Sequence, residues 1–188
     1  MSDAAAQRRA RQTVINLALS LLATLAMVVV LVLIVPRDDS SKIQKVDYLS
    51  ISQQAREATG REIPVPASIP SGWWANKAVW NGKSPDAVPS FETGFVSPSN
   101  RYVGEIIGFG GNPTWLALKL GGTQLTAAFL AGKGHWDVYT ATEKHDPKKD
   151  WDYVLVRQFG DNNYVLIYGN ATDEEVRSFA KLVDREIQ

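Results

Sequence analysis

The 188-residue chain holds two histidines, His135 and His145, and no cysteine. A zinc site draws three or four N, S or O ligands together at fixed distances. Here Asp137, Asp146, Asp150 or Asp152 would have to complete it, and the spacings match no zinc pattern. His135 reads as a strand residue near a turn, and His145 as a wet loop residue. Asp146, Asp150 and Asp152 offer oxygens for calcium, but Lys148 and Lys149 stand among them, and calcium takes six to eight oxygens. A serine hydrolase of the nucleophile-elbow kind needs Gly-x-Ser-x-Gly. That pattern is missing, and Ser71 precedes Gly72 in a turn. Glu92 and Glu105 fall on candidate neighbouring strands, where they would face each other as the two carboxylates of a glycosidase. A pair on a solvated sheet face is the commoner meaning of such spacing. The Gly-rich stretches at 108–113 and 132–134 do not fit a phosphate loop and read as turns. No catalytic residue, metal or cofactor is assigned.

Tryptophan is the surplus that remains. Trp73, Trp74, Trp80, Trp115, Trp136 and Trp151 are many for a domain of this size. Most should build the core. One or two would line a groove that stacks a sugar or grips a peptide, because large aromatic rings carry much of the contact energy at interfaces. Trp73 and Trp74 are the candidate ligand-binding pair. Consecutive strand side chains point to opposite faces, so at least one of these rings should reach solvent.

The elements that position these residues are mostly strands. Residues 73–81, 91–96, 102–109, 125–130, 135–142, 151–159 and 164–169 mix aromatic and β-branched residues or alternate polar with apolar. Gly160, Asp161, Asn162 and Asn163 mark a hairpin turn. Residues 114–120 form a short apolar helix ended by Gly121 and Gly122. Thr172 and Glu175 form a capping box, and Val176, Phe179, Ala180, Val183 and Ile187 make a helical stripe that should pack on a sheet. The fold class is α+β: a mainly antiparallel sheet with a short helix and a C-terminal helix. Tyr102-Val103 running to Gly108 is echoed by Tyr164-Val165 running to Gly169, each followed by a helix. The echo predicts two strand-strand-strand-helix units in one sheet, with both helices on the same side.

Ahead of the sheet lies an apolar run. Residues 14–35, VINLALSLLATLAMVVVLVLIV, carry no charge. As a helix they are about 33 Å long, enough for a hydrocarbon core roughly 30 Å thick. Arg8, Arg9 and Arg11 precede the run, and basic flanks stay cytoplasmic. The expected organisation is a cytoplasmic tail at 1–13, a transmembrane helix at 14–35, a stalk at 36–62 and an extracytoplasmic domain at 63–188. Within the stalk, Val46, Leu49, Gln53 and Ala58 would lie along a short helix ended by Gly60. Without cysteine there is neither a lipidated anchor nor a disulfide framework. Three of the 20 basic and one of the 20 acidic residues precede the run, leaving 17 against 19, a net charge of −2. Such a balance gives no footprint for nucleic acid.

These features resemble a known family. They are the basic tail and span, Val46-Asp47 before a small helix, a Pro-rich lead to Ile69, Pro70, Gly72 and Trp73, and a strand end at Gly94–Pro98. Tyr102-Val103, Trp115, a run from Gly134 through His135, Trp136 and Asp137 to Tyr139, and Gly169 to Thr172 before the last helix complete the set. The chain resembles the actinobacterial family catalogued as domain of unknown function 4245. The resemblance implies a domain anchored in the envelope of a Gram-positive actinobacterium and brings no activity with it. The expected function is a membrane-anchored binding or scaffold module of the cell envelope. Its partners would be membrane lipid through the span and an envelope protein or cell-wall component. An extracytoplasmic enzyme is the second reading, with His135 the first group to suspect and Asp137 on the opposite strand face. A small-ligand carrier is the third.

Overall fold

The computed structural model describes residues 3–34, 44–142 and 151–187. The chain divides into two compact units, Met1–Lys42 and Ile43–Gln188. The described residues of the first form one helix, α1 (Asp3–Ile34). Its stretch Gln7–Leu31 is long and apolar enough to cross a membrane, and none of that stretch is buried against protein.

The second unit opens with α2 (Tyr48–Thr59). Asp47 caps it, its carboxylate accepting from the Ser50 amide at 3.1 Å. Gly60, at φ 65°, ends it in the left-handed conformation that glycine adopts without strain. The short helix expected here is therefore present and ended by Gly60, with Leu49, Gln53 and Ala58 along it and Val46 just before it. Tyr48, Ser52 and Ala55 are buried while Leu49 is exposed. The residue that docks the helix, Tyr48, carries a hydroxyl. That hydroxyl finds the Pro66 carbonyl at 2.7 Å, which lets the ring be buried.

Seven strands follow in one antiparallel sheet: β1 (Trp74–Asn81), β2 (Ser90–Val96), β3 (Tyr102–Gly108), β4 (Thr123–Ala131), β5 (Gly134–Ala141), β6 (Tyr153–Phe159) and β7 (Asn163–Gly169). Their spatial order is β1-β2-β3-β7-β6-β5-β4. Helix α3 (Pro113–Leu120) connects β3 to β4, and α4 (Asp173–Asp184) closes the chain. The α+β class read from sequence is the architecture observed.

Strand alternation splits the sheet's side chains between two cores. On one face Phe91, Phe95, Val103, Ile107, Leu155, Val165 and Ile167 meet Tyr48 and Ala55 of α2 and Val176, Phe179, Ala180 and Val183 of α4. On the other face Ile106, Val154, Val156, Leu166 and Tyr164 meet Trp115 and Leu120 of α3. The two connecting helices thus lie on opposite faces, which ends the expectation of a repeat with both helices on one side. The strands keep part of the echo. β1–β3 and β5–β7 are two antiparallel meanders joined along β3 and β7, with β4 added outside the second.

Two latches hold the helices. The capping box of α4 is formed, with the Glu175 amide donating to the Thr172 hydroxyl at 3.2 Å and the Thr172 amide donating to the Glu175 carboxylate at 3.0 Å. At its other end Asp184 is ion-paired with Arg157 and accepts from the Trp136 indole N–H at 2.9 Å. Across the sheet, Asp86 accepts from the Trp115 indole at 3.0 Å and pairs with Lys119 at 3.0 Å. Burial pushes the Asp86 carboxyl up, but the Ser84 and Lys119 hydrogen bonds and the Lys119 charge bring it down to about 2.

Candidate functional site

Among the described residues, none of the groups with catalytic potential comes together as a site. Glu92 and Glu105 sit on neighbouring strands but point to opposite faces, because Glu92 lies opposite Ile106 and Glu105 opposite Thr93. Side chains alternate along each strand, so the register between β2 and β3 decides which residues share a face. Glu92 pairs with Lys77. Glu105 is fully buried in the α2/α4 core, where the Thr93 hydroxyl donates to one of its oxygens at 2.7 Å. Burial lifts its pKa to about 8, the Thr93 hydrogen bond only partly opposing it, and its other oxygen has no partner. His135 and Asp137 were expected on opposite faces. They share one, as residues two apart in a strand must, and their Nδ1 and Oδ1 atoms lie 3.6 Å apart, both largely exposed. Among the described residues no group of three or more His, Asp or Glu converges. His145, Asp146 and Asp150 lie outside the described residues.

The tryptophans separate clearly. Trp115 and Trp136 are core residues, 2% and 0% exposed. Trp73, Trp74, Trp80 and Trp151 are half-buried. Trp73 and Trp74, paired in sequence, are not brought together. Trp73 stacks on Phe179 of α4, with ring centroids 5.9 Å apart and planes 18° apart. With Pro70, Thr172, Glu174 and Glu175 it lines a pocket of about 250 Å³.

Trp74 turns to the α3 face and begins a different arrangement. The register places Trp74 opposite Val96 and Val96 opposite Tyr102. One step along, a single row crosses the sheet: Lys77, Gly94, Gly104, Tyr168, Val154, Tyr139 and Leu125. The two glycines in that row are occupied from above. A Cβ on Gly94 would come within 2.9 Å of the Tyr102 ring, and one on Gly104 within 2.4 Å of the Tyr168 ring. The bare backbone lets both tyrosines lie down across the strands. Trp151 then stacks on Tyr168, centroids 3.9 Å apart and planes 11° apart, and Tyr102 meets Tyr168 at 6.1 Å. Burial and the neighbouring Asp137 raise the Tyr139 pKa above its ordinary value, so its hydroxyl stays a neutral donor at physiological pH.

The result is a strip of rings, Trp74, Tyr102, Trp151 and Tyr139, each half-buried, with Tyr168 as the buried base beneath. From β1 to β5 it spans roughly 24 Å, five inter-strand spacings. Flat rings with hydroxyl donors at their margins suit a ligand that is apolar on its faces and polar at its edges. Sequence reading reached Trp74 and counted Trp151, but missed Tyr102, Tyr139 and Tyr168. The signal was present in the strand alternation, with Gly94, Gly104, Tyr102 and Tyr168 at positions that the register brings to one face. It becomes readable only once the order of the strands is known.

Comparison with known proteins adds a family and no activity. No curated protein and no solved structure matches the chain. A family model described as Protein of unknown function (DUF4245) matches residues 9–183, and the chain belongs to that family.

Proposed function

We propose, with membership of that family as the premise, that the chain is a membrane-anchored extracytoplasmic binding module in the envelope of an actinobacterium. It would hold a cell-wall glycan on its aromatic strip. One observation carries this reading: four half-exposed rings on one sheet face, Trp74, Tyr102, Trp151 and Tyr139. The C–H faces of a sugar stack on such rings while its hydroxyls reach the tyrosine OH groups. Support for the compartment comes from the apolar helix and the arginines before it, since basic flanks remain cytoplasmic. On this reading residues 1–13 are cytoplasmic, 14–35 span the membrane and the sheet stands outside. Trp73, on the other face, would take a smaller group in its own pocket.

The test uses the full chain in mild detergent, pelleted with insoluble cell-wall material. The wild type should co-sediment. Trp74→Ala and Trp151→Ala should each weaken binding about 5- to 10-fold, the worth of one stacked ring. Gly104→Ala should weaken it too, with every ring retained, because the new methyl displaces Tyr168. Equal sedimentation of the wild type and the Trp74→Ala, Trp151→Ala double variant would overturn the proposal. A lipid or small molecule that co-purifies with the wild type and is lost from the double variant would replace it with a carrier function.

A further inference from the structure

The two edges of the sheet are treated differently. At the β1 edge the Val46 amide donates to the Ala75 carbonyl at 2.9 Å, a bulge interrupts the register between Ala75 and Lys77, and Lys77 stands in mid-strand. Cover, a bulge and a lysine are the ordinary means of blocking an edge. At the other edge, among the described residues, β4 has β5 as its one neighbouring strand. Its sequence, TQLTAAFLA, holds no charge and no proline. Gln124, Leu125, Thr126, Ala127, Ala128 and Leu130 are all exposed, with Leu125 at 57% and Leu130 at 69%. One bulge, between Leu125 and Ala127, leaves the run from Ala127 to Ala131 regular.

We infer that β4 is the dimerisation edge of this protein, pairing antiparallel with β4 of a second copy to make one fourteen-stranded sheet. A second copy fits better than an unrelated strand because the edge is complementary to itself. Antiparallel self-pairing sets each residue against a residue of the same strand, and like charges met that way are destabilising. Here there are none to meet, in any register. Centred on Ala128, the pairing sets Phe129 beside Ala127 of the other copy and leaves the bulge at the ends. Lys133, the charged residue nearest to β4 along the chain, falls beyond the paired segment. A two-fold axis normal to the sheet keeps equivalent faces on the same side, so both aromatic strips would lie on one face of the joined sheet. The edge argument is independent of glycan binding. Confinement of both copies by α1 in one membrane, the anchoring proposed above, adds effective concentration.

The absence of cysteine makes the test direct. The full chain is expressed in a host's membranes as single-cysteine variants and mildly oxidised. Ala128→Cys should give a covalent dimer in high yield, and Lys77→Cys, on the blocked edge, should stay monomeric. Ala128→Lys should lower the dimer fraction of detergent-solubilised protein at least tenfold while its melting curve stays that of the wild type. The inference fails if Ala128→Cys and Leu130→Cys both remain monomeric, if Lys77→Cys cross-links equally, or if the product has the mass of a complex with a different protein. If Ala128→Lys does not fold, the cysteine pair decides alone.

Discussion

Glu105 gives this protein an unusual response to pH. Its carboxyl sits in the α2/α4 core with a pKa of about 8, against an ordinary value of 4.5. The folded state therefore holds a proton that the unfolded chain releases. The stability it contributes is complete below about pH 4.5 and is lost as pH rises through about 8, the reverse of a salt-bridged carboxylate. Urea unfolding of the wild type at pH 5 and at pH 8.5 should differ by on the order of a few kcal/mol, less stable at the higher pH. Glu105→Gln keeps the acceptor for the Thr93 hydroxyl and cannot ionise. It should flatten that difference, and an undiminished difference in the variant would assign it to another group. The same residue shows where sequence reading stops. Glu92 and Glu105 looked like a pair because strand proximity was legible, whereas the face of each depends on a register that composition does not carry. Trp73 and Trp74 were separable from alternation alone, while the tyrosines that share a face with Trp74 come from strands distant in sequence.

Local signals were legible at the level of elements wherever the chemistry is local. The capping box at Thr172 and Glu175 is written in four consecutive residues, and the helix begins there. Thr172→Ala should cost about 1 kcal/mol, the usual worth of an N-cap, measured as a shift in the denaturant midpoint with an unchanged slope. Turn residues and alternation likewise located all seven strands to within a few residues. The inner face of α2 was not legible, because a buried tyrosine and serine resemble a polar stripe until their partners are known. The side on which α3 packs was also hidden. A short apolar helix can cover either face of a sheet, and what decides here is Trp115 lying over Gly108, where a Cβ would come within 2.4 Å of the indole.

For the molecule as a whole, the apolar helix and the order of the strands matter most. The apolar helix near the N-terminus was evident from hydrophobicity alone, because a span must satisfy its backbone internally and present an unbroken apolar surface. Its direction is open to experiment: a periplasmic-type reporter fused after Gln188 should be active outside the cell, and activity confined to the cytosol would reverse the proposed orientation. Strand order was not legible, since β3 pairs with β7 and not with β4, from Val103 against Gly169 to Gly108 against Tyr164. That seam sets a timetable for synthesis. The first meander leaves the ribosome long before its permanent neighbour exists, and the stripe of α4 that covers both meanders is made after them. Until then β3 is a bare, apolar margin, so a message truncated ahead of Asn163 would yield a product that no part of itself can finish, and its fate would pass to chaperones and proteases.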